Sequence, residues 1–170
     1  PPACPASAGA QEGNLSVMED SSGTTEYCYN SFGEVSQKTQ TTSGIPLSLR
    51  YSYTKTGKPK SITYPNGSII EYGYDEQGQV STVVLIQPSG ARHILVSSVD
   101  HYPFGPLASL TYGNGRRLTR TLNQNYQTEA IVDDRPDGLR LHLAHDEVGR
   151  LRRVSTPNSD APDIAFSYDA

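Results

Sequence analysis

The chain repeats one phrase: an aromatic, any residue, Tyr, a turn former, two spacers, Gly, then a polar and an apolar residue. The fullest copy is Tyr72-Gly73-Tyr74-Asp75-Glu76-Gln77-Gly78-Gln79-Val80. A second is Tyr27-Cys28-Tyr29-Asn30-Ser31-Phe32-Gly33-Glu34-Val35. Tyr51-Ser52-Tyr53-Thr54-Lys55-Thr56-Gly57-Lys58 is degenerate. Leu143-Ala144-His145-Asp146-Glu147-Val148-Gly149-Arg150-Leu151 keeps the turn without the tyrosines, and Phe166-Ser167-Tyr168-Asp169 begins another copy. Tyr29 to Tyr53 is 24 residues, Tyr53 to Tyr74 is 21, and His145 to Tyr168 is 23. A fixed period of this size marks a repeat architecture. Two strands of roughly 6–8 residues and two turns fill it, so one repeat is one β-hairpin and a connection.

Turn chemistry explains the phrase. Asp or Asn at the first position of a four-residue turn accepts a hydrogen bond from the backbone two residues on, and Gly at the fourth takes φ > 0. Asp75 with Gly78, Asp146 with Gly149, and Asn30 with Gly33 have these roles. A type I turn followed by a left-handed Gly closes a hairpin with a bulge. Tyr72 and Tyr74 alternate before the turn, and Val80 and Thr82 after it, as in a strand with one covered face. Tyrosine suits that setting, its ring packed and its hydroxyl at the edge.

A second turn type is expected at Tyr64-Pro65-Asn66-Gly67 and Tyr112-Gly113-Asn114-Gly115, because Asn-Gly is a strong short-hairpin signal. Apolar or β-branched residues resume after each, at Ile69-Ile70 and Leu118-Thr119. Leu139, Leu141, Leu143 and Ile164, Phe166, Tyr168 also alternate. Val83-Val84-Leu85-Ile86 is continuous and reads as a strand covered on both faces. No stretch shows a sustained helical period with caps.

These motifs, with Tyr102-Pro103-Phe104-Gly105-Pro106-Leu107-Ala108-Ser109-Leu110-Thr111-Tyr112-Gly113-Asn114-Gly115, resemble the YD-repeat or Rhs-repeat family, related to teneurin and Tc-toxin YD repeats. The resemblance runs from about Tyr27 onward. Asn30 and Thr54 stand in place of the motif Asp, and Leu143 and His145 in place of the aromatic pair. The resemblance implies consecutive antiparallel hairpins in a curved repeat sheet, a segment of a hollow shell. In bacterial members the shell encloses a C-terminal toxic domain; in teneurin-like members it belongs to a cell-surface adhesion protein. The implied partners are the rest of the parent chain and its enclosed domain, and the implied location is secreted or cell-surface. Many Rhs proteins carry an Asp-Pro-x-Gly-Leu signature beside an autocleavage site. Pro136-Asp137-Gly138-Leu139 echoes it with the order disturbed, and the activity is not carried over.

At 170 residues one domain is expected. Residues 1–13 read as a flexible N-terminal segment, and 14–170 as a repeat module that stops within a copy. Tyr supplies 11 of the aromatics, with 3 Phe and no Trp, and the 15 Gly and 12 Pro suit turns. A thick core is not expected. The net charge of −4 argues against a nucleic-acid partner, and no apolar run is long enough to span a membrane. No signal peptide is present, which means little for a chain that reads as an internal segment. Cys4 and Cys28 read as free thiols, one on a flexible arm and one in a strand, with a disulfide as the alternative.

Candidate sites weigh lightly. His142 and His145, beside Asp146, lie three apart on a strand, so their side chains point to opposite faces unless the strand bulges. No metal site is assigned, and no cofactor. His93 and His101 read as surface residues. Asp133-Asp134-Arg135-Pro136-Asp137-Gly138 reads as a solvated acidic turn rather than a proton-sharing pair. Neither a nucleophile elbow nor a phosphate loop is present, so no catalytic residue is assigned. Asn14-Leu15-Ser16 and Asn66-Gly67-Ser68 match the glycosylation acceptor pattern, which matters only in a eukaryotic secretory setting. Two functions remain: shell wall, or a carbohydrate- or receptor-binding surface built on exposed tyrosines. Self-association through edge strands is expected of the isolated segment.

Overall fold

A computed structural model describes residues 4–5, 9, 13–103, 105–157 and 162–169. Every regular element among them is a strand. They are β1 (Val17–Asp20), β2 (Gly23–Tyr29), β3 (Val35–Thr42), β4 (Ile45–Tyr53), β5 (Pro59–Thr63), β6 (Ile69–Tyr74) and β7 (Val80–Ile86). After these come β8 (Arg92–His101), β9 (Leu107–Tyr112), β10 (Arg117–Leu122), β11 (Thr128–Asp133), β12 (Arg140–His145), β13 (Leu151–Ser155) and β14 (Ile164–Ala165). Strand order follows chain order with no crossover. The fold is therefore all-β, made of consecutive antiparallel hairpins. The chain divides into two compact units, one of Pro1–Gly73 with Val83–His93, the other of Tyr74–Thr82 with Ile94–Ala170.

One pair of backbone bonds closes most turns. In the Asn30 turn, Asn30 N donates to Glu34 O at 2.8 Å and Gly33 N to Asn30 O at 3.1 Å. The same pair recurs in the turns starting at Thr54, Tyr64, Asp75, Gln87, Tyr102, Tyr112, Asn123 and Asp146. The two Asn-Gly turns are thus not a second backbone type. Asn66 and Asn114 occupy the third position, with φ below zero, and Gly67 and Gly115 take φ of 81° and 82° in the fourth. What differs is the side chain that meets the fifth-position amide. Asp75 Oδ1 accepts from Gln79 N at 2.7 Å, and Asn30 Oδ1 from both Phe32 N and Glu34 N. Where Tyr holds the first position, the third-position Asn takes over: Asn66 Oδ1 accepts from Ser68 N, and Asn114 Oδ1 from Arg116 N. The two-residue hairpin turn with φ > 0 at both centres is instead Ser43-Gly44, between β3 and β4.

The turn at Asn123-Gln124-Asn125-Tyr126 was hidden from the sequence pattern because Tyr126 stands where the phrase has Gly. Tyr126 holds φ of 59°, and its side chain is 83% exposed. A left-handed non-glycine residue costs roughly 1–2 kcal/mol. Tyr126→Gly should therefore raise stability by about 1 kcal/mol. A denaturant titration in which the variant is no more stable than the parent would refute the strain.

An extra residue follows the turns that Asn30, Thr54, Asn123 and Asp146 cap with their own side chains, and also the Tyr102 turn, whose first side chain reaches Arg120 O instead. Tyr29 pairs with Val35, but Cys28 pairs with Gln37, leaving Ser36 over. In the same way Lys60 is extra after the Thr54 turn and Glu129 after the Asn123 turn. Arg152 is extra after the Asp146 turn, and Ala108 after the Tyr102 turn. Each is a bulge on the return strand, which bends it and raises its twist. The Asn-Gly turns run on without one: Thr63 pairs with Ile69 and Ile62 with Ile70, as Thr111 pairs with Arg117 and Leu110 with Leu118. Successive turns of an antiparallel meander alternate between strand ends. Within each unit these return-strand bulges therefore gather at one end of the strands and the Asn-Gly turns at the other; β8 has a further bulge, at Ser97, beside the Tyr112 turn.

Both units have one apolar face. Directly opposed residues share a face. In the first unit Tyr27, Lys38 and Leu49 form one row, and Tyr51, Ile62 and Ile70 another. Lys38 Nζ lies 5.9 Å from the Tyr27 ring centre. The reverse face carries hydroxyl pairs, Thr39 with Ser48 at 2.8 Å and Ser52 with Ser61 at 2.6 Å. In the second unit Val99, Leu110 and Leu118 form a row, as do Leu143, Val154 and Ile164.

Cover is thin on these faces. The described buried apolar residues are Cys28, Tyr29 and Ala130, while Ile45, Leu47, Ile94 and Ile164 are each more than half exposed. β7, read as sealed on both faces, is half-buried along its length.

Cys4 and Cys28 are bonded, with Cα atoms 5.6 Å apart, so the reading of two free thiols is corrected. Gly9 N donates to Tyr29 O at 2.7 Å, which brings the chain start back along the end of β2. Sequence spacing could not show that return. The flexible reading of residues 1–13 otherwise lies largely outside the described residues, as do Phe104 and residues 158–161.

Candidate functional site

The phrase's second tyrosine ties one hairpin to the one before it. Tyr53 Oη donates to Val35 O at 2.7 Å, and Tyr168 Oη to Leu151 O at 2.7 Å. Val35 and Leu151 each lie five residues after the first residue of the preceding capped turn, Asn30 and Asp146. Tyr29 Oη likewise reaches Leu15 O at 2.8 Å. Where a strand start would leave a carbonyl to water, a hydroxyl arrives from the next repeat. Burial pushes the Tyr51 and Tyr53 hydroxyls up from their usual range. Motif tyrosines Tyr27, Tyr51, Tyr53, Tyr72 and Tyr74 are half-buried, and Tyr29 is buried.

The exposed tyrosines do not make a stacking platform. In the second unit they are Tyr112, Tyr126 and Tyr168. Tyr112 and Tyr126 sit in turns at opposite ends of β10, whose 6 residues extend roughly 20 Å. The Tyr168 ring is engaged by Arg150 at 4.7 Å.

The polar side chains build a lattice across β8 to β11. Ser109, 4% exposed, donates to Asp100 Oδ2 at 2.6 Å, and Arg117 reaches Ser109 Oγ at 2.9 Å and Asp100 Oδ2 at 3.2 Å. Arg117 N also donates to Asp134 Oδ1 at 3.1 Å. Beside it Arg116 pairs with Asp133. The acidic turn is therefore not wholly solvated: Asp133 is 5% exposed. The Arg135 N–H, with Arg116, holds its carboxyl below the usual range despite burial. The sequence reading missed this set because its members meet only across hairpins. The one available signal was the Arg116-Arg117 doublet, recurring as Asp133-Asp134 at a distance of 17 residues. Ser109 has an aspartate and an arginine beside it, which bind each other as well as the serine, so the set ties β8, β9 and β10 together.

The histidines fall apart. The bulge opposite Ala144 and His145 lies on β13, at Arg152, so β12 itself does not bulge; His142 is exposed and pairs with Ala130 and Ser155, while His145 is half-buried at the turn. No group of three metal-capable side chains forms among the described residues. His93 is exposed; His101, read as a surface residue, is half-buried with Nδ1 enclosed. It lines a shallow concavity with Asp75, Gln79 and Asp100. Both carboxylates there are already engaged, Asp75 by the turn amide and Asp100 by Ser109 and Arg117. Among the described residues no helix is long and apolar enough to cross a membrane.

Asp146 Oδ1 accepts from Val148 N and Arg150 N, and Oδ2 pairs with the Arg150 side chain at 2.8 Å. The Arg150 side-chain bond is the largest cause holding this carboxyl below its ordinary value. A depressed folded pKa contributes stability above the unfolded value, roughly 3.9, which is lost as pH falls through the folded pKa. Asp146→Asn keeps the amide acceptor, as Asn30 does, but removes the titration. Stability of the variant should fall less steeply below about pH 4. Parallel acid-unfolding curves for parent and variant would refute it.

What these features define is a strand-repeat wall: standardised turns, hydroxyl ties from repeat to repeat, half-covered apolar faces and no reactive constellation among the described residues. The chain belongs to the teneurin YD-shell family, which matches residues 10–170. It is 26% identical over 155 residues to double-stranded DNA deaminase toxin A of Burkholderia cenocepacia (strain H111), covering 82% of this chain and 10% of that protein. Its fold is shared with TcdB2-TccC3, at a TM-score of 0.77 and 16% identity over 92% of this chain. It is shared also with the Tc holotoxin pore of Photorhabdus luminescens, at 0.75 and 15% over 92%. The chain spans about a tenth of the length of each of these relatives.

Proposed function

We propose that this chain is wall material of a β-sheet shell that encloses a C-terminal toxin or effector domain of its parent protein. The observation that carries the reading is the tyrosine tie. A repeat whose defining side chain satisfies its neighbour's backbone is built to be added end to end. The half-covered apolar faces and the family membership support it, since a single sheet layer leaves a face free for what it surrounds. The parent chain and its enclosed domain are the partners, in a secreted or cell-surface protein; the chain itself carries no catalysis, cofactor or nucleic-acid site. The turn residues Asp75, Gly78, Asn30, Gly33, Asp146, Gly149, Asn66, Gly67, Asn114 and Gly115 set the wall's geometry. Strand edges provide the route for self-association in the isolated segment. Deaminase chemistry belongs to the Burkholderia relative as a whole and is not assigned to this stretch.

Enclosure is tested in the full-length parent. The C-terminal domain should be cut by a nonspecific protease at least tenfold more slowly within the parent than when expressed alone, since cleavage follows access. Equal rates would overturn enclosure. A glycan bound specifically by this chain would move the assignment to the adhesion reading.

A further inference from the structure

The feature that the wall reading does not absorb is the disulfide. We infer that Cys4–Cys28 is a reducible tie that holds the chain start against β2 in oxidising surroundings and lets it go in reducing ones. The inference does not depend on what the shell encloses.

Four observations carry it. The most buried described side chains of the first unit lie on β2: Cys28 at 2%, Thr25 at 8% and Tyr29 at 9% exposure. The chain start runs close to them. Gly9 N donates to Tyr29 O, and a Cβ on Gly9 would stand 2.3 Å from Asn30 O, so the backbones approach as only glycine allows. β2 is laddered on both sides without help from sulfur, with β1 from Asp20 to Val17 and with β3 from Thr41 to Val35. The two sulfurs also differ in access: Cys4 is half-buried while Cys28 is enclosed. The bond thus holds a peripheral segment to a strand that is anchored independently.

The chemistry needs a small thiol as reductant. Its thiolate attacks the more accessible Cys4 sulfur, the S–S bond breaks, and Cys28 leaves as a thiolate that takes up a proton. A second thiol then attacks the mixed disulfide, freeing Cys4 as a thiol and giving the small disulfide. Two electrons pass from two thiols to the protein bond. Such bonds persist in extracellular settings and are reduced in a cytosol, so the tie distinguishes the two compartments. On release, the enclosed Cys28 sulfur becomes a thiol that alkylating agents can reach, and the Gly9–Tyr29 contact loses its nearest covalent support.

The test compares the full chain prepared in air, the same chain reduced by excess glutathione, and Cys4→Ser without reductant. Hydrogen exchange at Gly9 and alkylation of Cys28 by iodoacetamide are followed, with exchange in β3 to β5 as the reference. Reduction and Cys4→Ser should each speed Gly9 exchange by at least about tenfold, with β3 to β5 changing less than about twofold. Cys28 should be alkylated only after reduction or in Cys4→Ser. Three results would each overturn the inference: Gly9 exchange unmoved by both treatments, protection lost across β3 to β5 together with Gly9, or Cys28 already free in the air-prepared chain.

Discussion

Gly113→Ala should lower stability by about 3 kcal/mol, a large change for one methyl group. Gly113 follows the last residue of β9, and its N–H donates to Leu95 O at 2.8 Å. A Cβ there would stand 1.6 Å from Ile94 O and 2.6 Å from Ile94 C. The obstacle is backbone, which cannot swing aside as a side chain would. The turn must lift off β8, giving up its hydrogen bond and the fit around it. Chemical denaturation followed by far-UV circular dichroism measures the loss. A variant within about 1 kcal/mol of the parent would show that the approach of Gly113 to β8 is not as close as described.

Gly23→Ala should cost about as much, for two reasons that add. Gly23 holds φ of 142°, a conformation that side chains other than glycine's rarely tolerate. Its Cβ would also stand 1.9 Å from Thr41 O. Gly33→Ala is the control. Gly33 has φ of 79° but nothing within 4 Å of the added Cβ, so only the backbone term of roughly 1 kcal/mol applies. If Gly23→Ala and Gly33→Ala melt alike, the steric share assigned to Thr41 O is wrong.

The parts of this fold that were legible in the sequence are those decided within a few residues. Asp75 and Gly78 could be read because a side-chain acceptor and a left-handed glycine act on their own turn. Asn66-Gly67 located a turn correctly but suggested the wrong form. Whether Asn-Gly fills the centre of a two-residue loop or the end of a longer one depends on where the strands pair. The bulges at Ser36, Lys60, Ala108, Glu129 and Arg152 left no trace in the phrase, since the surplus residue is defined only by its missing partner across the ladder. Asp133 looked solvated because its cation, Arg116, arrives from another hairpin. Cys4 looked unpaired because a Pro/Ala-rich start gives no hint that it turns back. The tyrosines were legible as packed residues, but not as hydroxyl donors to the preceding repeat.

The surplus residues also bear on how such a chain can be lengthened. A turn with a bulge on its return strand and a turn without one come as a couple, at opposite ends of the strands. Duplicating a stretch of two strands keeps that alternation in phase, so the copied tyrosine again finds a carbonyl five residues past a capped turn. Duplicating a single strand would invert the phase, putting the next bulges on the wrong rim and aiming the next tyrosine at the wrong end of its neighbour. Growth or shrinkage by recombination is therefore quantised, in steps near the 21 to 24 residues that separate Tyr29, Tyr53 and Tyr74.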